Sequence, residues 1–392
     1  MNRKIRTVFY FSVIIVSAVA LSVFFTKLWG GKAEKLPELK QIVIENNMTV
    51  EQFGRTNNLP NPVLKEIFHL TTKSDLSKRL DEYGTSAQIE SMTREKTAIA
   101  SEHASKNWIK IPLKFLLWFL FLSSVFIFSR KRKITSRLRN GLYASAILIF
   151  GVIMGSDPGP MGTVKDAIHL YATTGAVFKP RIIALSVFLV MVFLANKYIC
   201  AWGCQAGTLQ DLLFRINQDV KRKPVMFRQV RLPFVLTNTI RITFLFMFTL
   251  AAFLWGLDII EPFDPFKIYN PVHLGLAGII FLAILFFAGM FVYRPWCHLF
   301  CPFGLAGWIV EKISLFKIQV DYKTCIACEK CSTACPSTVM GAILRQNRKT
   351  IPDCFACNTC IEVCPTGSVS FSRGKRSVPP AEHFNRKKKE DK

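Results

Sequence analysis

A mainly helical membrane bundle with a small α+β domain towards its C-terminal end is the fold class that this sequence predicts. Three observations predict it. Hydrophobic residues fill 51% of the 392 positions, Phe alone occurs 34 times and only 20% of positions are charged, a balance suited to lipid surroundings. Uncharged runs alternate with short basic segments, as spans alternate with the loops that hold them. Eight of the 12 cysteines crowd between Cys325 and Cys364. A formal net charge of +25 would suggest nucleic acid in a soluble chain. Here the basic residues flank apolar runs, so lipid is the expected partner and nucleic acid is not.

The cysteine block is the most specific signal. Cys325 to Pro336 reads CIACEKCSTACP and Cys354 to Pro365 reads CFACNTCIEVCP, each C-x2-C-x2-C-x3-C-P. This spacing wraps a chain around a cubane, with the fourth cysteine ligating the other cluster when two motifs occur together. The expected ligand sets are therefore Cys325, Cys328, Cys331 and Cys364 for one [4Fe–4S] cluster, and Cys354, Cys357, Cys360 and Cys335 for the second. A zinc ribbon needs only two C-x2-C pairs and no C-P. A thioredoxin-like pair does not repeat as a quartet, and a disulfide framework needs an oxidising compartment. Residues 321–370 are thus expected to form a bacterial-type two-cluster ferredoxin domain.

The rest of the chain follows in order. Arg3, Lys4 and Arg6 precede an uncharged run from Val8 to Phe25, read as an uncleaved anchor within 1–29 rather than a signal peptide. Residues 30–108 read as a small extracytoplasmic helical module. Thr49 to Gln52 looks like a capping box, and helices are expected near Val63 to Leu70 and Ser86 to Ala104. His69 and His103 are isolated and read as ordinary surface or packing residues. Within 109–298, apolar segments lie near 111–128, 140–156, 182–198, 242–258 and 272–293, and Lys114 is placed to snorkel. With the first run this makes about six spans.

Orientation comes from the connections. Arg130, Lys131, Arg132, Lys133, Arg137 and Arg139 crowd one, and Arg215, Lys221, Arg222, Lys223, Arg228 and Arg231 another. The intervening 157–181 and 258–271 are poor in basic residues. The alternation places both termini and the ferredoxin domain in the cytoplasm, whose reducing poise suits thiolate ligands. An interfacial segment, 299–320, precedes the ferredoxin domain. A basic tail, 371–392, follows it and includes Arg386 to Lys389, a candidate contact for anionic lipid.

The remaining four cysteines form a second pattern. Cys200-Ala-Trp-Gly-Cys204 and Cys297-His-Leu-Phe-Cys301-Pro302 are both C-x3-C, and both continue to a glycine, Gly207 and Gly304. Cys297 lies 97 residues after Cys200, and Asp157-Pro158 is echoed by Asp264-Pro265. A duplicated two-span unit would explain both echoes. Pseudo-symmetry would then gather Cys200, Cys204, Cys297 and Cys301 at the cytoplasmic membrane surface, as a further metal centre, a redox dithiol or a copper site. At the outer face, Asp157, Asp258, Glu261, Asp264 and His273 are candidates for handling quinol protons, with loop capping as the plainer role.

These residues carry a resemblance. Spans, C-x3-C, further spans, C-x3-C-P and then the twin ferredoxin motif resemble the membrane polyferredoxins of the NapH/NosR/CcoG type, over roughly 140–370. The resemblance implies a bacterial inner-membrane protein that passes electrons between the quinone pool, or a membrane partner, and a redox partner, as a component of an oxidoreductase system. Gln205 stands where the pattern has proline, and 30–108 is too short for the outer flavin domain of NosR-like proteins. Ala172 to Val177 lacks the hydroxyl a covalent flavin needs, no histidine pair suits an intramembrane haem, and no glycine motif suits a nucleotide. Flavin, haem and nucleotide are therefore not expected. Two rival readings stay open: a maturation factor that reduces or delivers copper, and a redox sensor.

Overall fold

The computed structural model describes residues 3–29, 42–45, 47–218, 226, 228–271, 274–346 and 351–384. His273, Lys221 to Lys223 and the Arg386 to Lys389 tail lie outside the described residues. Helix α1 (Arg3–Leu28) and helix α5 (Lys110–Arg130) are apolar on every face, with no stripe that would direct them onto a single core. Together with α10 (Phe234–Trp255) they are long and apolar enough to cross a membrane. Their outward side chains, among them Phe119, Leu120, Phe246, Leu254 and Trp255, stay exposed, which is a liability in water and an asset in lipid.

The other predicted spans are built differently. The 140–156 segment is α6 (Ser136–Ala146) continuing as a π-helical turn, Ile147–Ile153, and 182–198 falls on the 17-residue α8 (Lys179–Ala195). The last apolar helix, α11 (Leu276–Ala288), is shorter still. Helix α7 (Pro160–Thr174) starts from proline, carries Lys165, Asp166 and His169, and packs on α8 and α10.

Before the bundle stands a separate small core. Helices α2 (Val50–Thr56), α3 (Asn61–Phe68) and α4 (Ser86–Ala104) bury Phe53, Ile67, Phe68, Leu80 and Ile89 together. The capping box opens α2: Gln52 N–H donates to Thr49 Oγ1 at 3.3 Å, and Thr49 N–H donates to Gln52 Oε1 at 3.0 Å. His69 ends α3 in a left-handed conformation, and His103 stacks against Trp108.

After α8 the chain turns back on itself. Asn196 takes φ 61°, a π-helical turn spans Ile199–Gly203, and α9 (Gln205–Ile216) follows, buried over nearly its whole length. The second half repeats the plan with α12 (Pro295–Leu299) and α13 (Pro302–Glu311). The C-terminal domain closes with an antiparallel pair, β1 (Phe316–Val320) and β2 (Val369–Arg373), in the register Phe316–Arg373 to Val320–Val369. Between them lie α14 (Lys330–Ala334), α15 (Val339–Arg345) and α16 (Thr359–Val363). Ile318 and Phe371 share the core of the bundle, with Phe371 stacked on Tyr198 at 5.5 Å. The small domain is thus seated on the helices rather than tethered to them.

Candidate metal centre

Each C-x2-C-x2-C loop is shaped by two residues that leave the ordinary backbone regions. Ala327 (φ 53°) and Glu329 (φ 54°) bend the first loop, and Ala356 (φ 49°) and Asn358 (φ 61°) bend the second at matching positions. A left-handed conformation costs a non-glycine residue roughly 1–2 kcal/mol, so surrounding structure must hold it. The bends turn backbone N–H groups towards sulfur: Ala327 towards Cys325, and Ala356 towards Cys354. The last cysteines, Cys335 and Cys364, end the short helices α14 and α16, which pack on one another.

This arrangement brings thiols of the two motifs into each other's range. Cys364 is a Coulombic neighbour of Cys325 and Cys331, whereas Cys335 is one of Cys354, Cys357 and Cys360. Among the described residues no three His, Cys, Asp or Glu side chains converge closely enough for a single ion. Cys364 is held below the ordinary thiol range: burial opposes this, and hydrogen bonds from Val369, Thr366 and Ser368 outweigh it. Such donors favour a thiolate ligand.

The second loop is inserted into the helices. Phe355 lies under the guanidinium of Arg294 at 4.8 Å and the ammonium of Lys197 at 4.7 Å. Trp202 Nε1 donates to Ala356 O at 3.2 Å and Arg139 Nε donates to Cys357 O at 3.0 Å. Asp353, directly before Cys354, accepts from Lys197 Nζ at 3.0 Å and Arg241 Nη1 at 2.8 Å. Burial alone would raise this carboxyl, but the two cations outweigh it and hold it at about 2. Glu311 accepts from the Cys354 N–H at 3.2 Å.

Cys200, Cys204, Cys297 and Cys301 are drawn together in the same region. Cys301 has Cys297, Cys204 and Cys200 as Coulombic neighbours, and all four are free thiols. Cys301 caps α13, its Sγ accepting from Gly304 N–H at 3.3 Å, and Cys204 stands at the same point before α9. Gly207 and Gly304 are needed for close approach: an added Cβ would lie 2.6 Å from Cys200 O and 2.8 Å from Cys297 O.

Comparison with known proteins places the chain. A family model described as a 4Fe-4S dicluster domain matches residues 317–365, and one described as a 4Fe-4S binding domain matches twice, at 180–224 and 274–320. The ferredoxin-type protein NapH of Escherichia coli is 26% identical over 206 residues, covering 50% of this chain and 65% of NapH. NirI of Paracoccus denitrificans is 24% identical over 296 residues, or 69% of this chain and 42% of NirI. The chain resembles the NapH-like polyferredoxins. YccM of Escherichia coli, whose name assigns it to electron transport, is 31% identical over 174 residues, 42% of this chain and 48% of YccM. The chain thus spans less than two thirds of the length of these relatives. No solved structure matches it significantly.

Acids of the 157–181 and 258–271 segments line a cavity of about 720 Å³ with Lys165, Arg181 and His169. Asp157, Asp258, Glu261 and Asp264 all reach it. Lys165 Nζ binds Asp258 at 2.9 Å and Glu261 at 2.7 Å. Burial lifts the Asp264 carboxyl to about 7, only partly offset by Lys165. Trp296, next to Cys297, donates to the sulfur of Met161 on the cavity wall at 3.2 Å.

Sequence reasoning missed the buried charges. Lys197, Arg241 and Arg294 are at most 1% exposed and serve Cys200 O, Cys297 O and Gly304 O as donors. A signal was present: Lys197 and Arg294 each stand three residues before the first cysteine of a C-x3-C motif.

Proposed function

We propose that this polyferredoxin carries electrons in a bacterial inner membrane, between the quinone pool or a membrane partner and a redox partner. Cys325, Cys328, Cys331 and Cys364 would hold one [4Fe–4S] cluster, and Cys354, Cys357, Cys360 and Cys335 the other. When bound, the clusters supply the one-electron chemistry. The polypeptide supplies thiolates, N–H donors to sulfur and exclusion of water. About six spans with both termini and the ferredoxin domain in the cytoplasm complete the reading.

One observation carries it: the Cys354–Cys360 loop is inserted into the helices, with Phe355 against Lys197 and Arg294, instead of facing solvent as in a freely diffusing carrier. The outer cavity suits a donor that releases protons with its electrons, because its acids include Asp264, which ionises near neutrality. The test is anaerobic purification of the whole chain. At least about eight iron and eight sulfide per chain are expected, and Cys328→Ser and Cys357→Ser should each abolish a different EPR signal. Zinc in place of iron would overturn the cluster reading. Absence of reduction by a quinol analogue in proteoliposomes, with clusters intact, would overturn the quinone assignment.

A further inference from the structure

We propose that Thr359 raises the reduction potential of the cluster at Cys354, Cys357, Cys360 and Cys335 by donating a hydrogen bond to the Cys357 sulfur. Arg215 acts through Thr359 as a positioning residue. This rests on the two-cluster reading and goes beyond it, because it makes the two sites unequal.

The cysteine spacing alone would make the loops equivalent. Aligned on their cysteines, Ile326 matches Phe355, Glu329 matches Asn358 and Lys330 matches Thr359. The fold treats the matched residues differently. Ile326 is 54% exposed and Phe355 only 3%, while Lys330 is exposed and Thr359 buried. Beyond the fourth cysteine the motifs do agree: Ser337 Oγ lies 3.7 Å from Cys335 Sγ, and Thr366 Oγ1 lies 3.7 Å from Cys364 Sγ. Those hydroxyls serve one cluster each and cancel in a comparison. Thr359 Oγ1, at 3.2 Å from Cys357 Sγ, is matched in the first loop by a lysine and so by no hydroxyl.

The neighbours of Thr359 fix the direction of its bond. Arg215 Nη2 donates to Thr359 Oγ1 at 3.2 Å, so the oxygen already accepts and its hydrogen is free for sulfur. A ligating thiolate has no hydrogen to give in return. Arg215 is itself held in place. Its Nε donates to Asp211 Oδ1 at 2.6 Å, and Asp211 Oδ2 accepts from Tyr143 at 3.0 Å, Tyr293 at 2.9 Å and Arg294 Nη2 at 2.7 Å. Arg139 Nε donates to Cys357 O at 3.0 Å and pairs with Glu362. Three guanidinium groups are thus set against two carboxylates beside this loop.

One electron gained adds one negative charge at the sulfurs. A hydrogen bond to sulfur and a nearby cation are both stronger in that state, which raises the potential. Burial acts the other way, since low-dielectric surroundings disfavour the more highly charged state. The inserted loop therefore needs such a donor to stay within reach of the exposed one. The step is one electron, with no bond made or broken and no proton moved, because the hydroxyl and the guanidinium keep theirs.

The experiment is an EPR-monitored potentiometric titration of the anaerobically purified full chain, with dithionite and mediators. It follows the signal that Cys357→Ser abolishes. Thr359→Val keeps the branched shape and removes the donor. The ratio of reduced to oxidised cluster at a given potential should fall about tenfold, the worth of a hydrogen bond to a charged group, or about 59 mV in the midpoint. Thr359→Ser should restore the wild-type midpoint, and the signal that Cys328→Ser abolishes should hold its own in every variant. Arg215→Lys keeps the charge beside Asp211 and loses the arm on Thr359, so the same signal should shift the same way by about threefold. That variant supplies the answer if Thr359→Val does not retain its iron. Midpoints unchanged in these variants, with about eight iron retained, would overturn the proposal and leave both clusters standing. Equal shifts of both signals would overturn it too. Wild-type iron well below about eight would overturn the cluster reading beneath it.

Discussion

Asp353 shows how much one side chain decides. It is the shared counter-charge of Lys197 and Arg241, and all three are almost fully buried. Asp353→Asn keeps the shape and strands two cations, and removing one partner of a buried pair typically costs about 3–5 kcal/mol. Thermal unfolding in detergent should show that loss, with the Cys354 loop becoming cleavable by protease; an unchanged melting temperature would dismiss the pair as a staple. The paired glycines give a second residue-scale expectation. Gly207→Ala and Gly304→Ala drive a Cβ against a backbone carbonyl that no rotamer change relieves, for about 1–3 kcal/mol each. Gly141, helical and with nothing within 4 Å of an added Cβ, is the control. Gly141→Ala should raise stability by about 0.5–1 kcal/mol. Equal effects at all three positions would contradict the close-approach argument.

Among elements, helices α2 to α4 have their own core and touch the bundle through α4, where Arg181 binds Glu102 at 2.8 Å. Phe53→Ala, at a fully buried position, should cost about 3–5 kcal/mol and open residues 42–104 to protease, while iron content stays at the wild-type level. Loss of iron would mean that the two parts fold as one. What the sequence made legible follows the same division. Helix α4, the capping box before α2 and the twin cysteine loops were readable because each is a local signal, fixed by cap chemistry or ligand spacing. The apolar run at 140–156 did not reveal that it breaks into α6 and a π-helical turn, since hydropathy does not distinguish 3.6 residues per turn from a wider winding. Nor did it reveal α9 and α13 as buried returns, because only tertiary contacts set the depth of such a segment. Lys197, Arg241 and Arg294 are met by Asp211 and Asp353, distant in sequence, so only the fold shows what balances them.

Across the whole molecule three regions stand out: an acid-lined cavity, a core of four thiols with buried cations, and the twin cysteine domain. Asp264 ties the first region to pH. Its carboxyl ionises at about 7 in the folded chain against 3.8 for the free group, so between these values the folded state keeps a proton that the unfolded state releases. Stability from this group is therefore fully present at low pH, falls as pH rises through that window and is level above it. The span corresponds to roughly 4 kcal/mol. Asp264→Asn keeps an acceptor for the Phe266 N–H, which Asp264 Oδ1 now receives at 2.8 Å, and removes the ionisation. The variant should out-melt wild type by more at pH 8 than at pH 5, in detergent with iron content monitored alongside. If wild type and variant respond alike to pH, Asp264 is ionised throughout and the cavity has no group poised to accept a proton near neutrality.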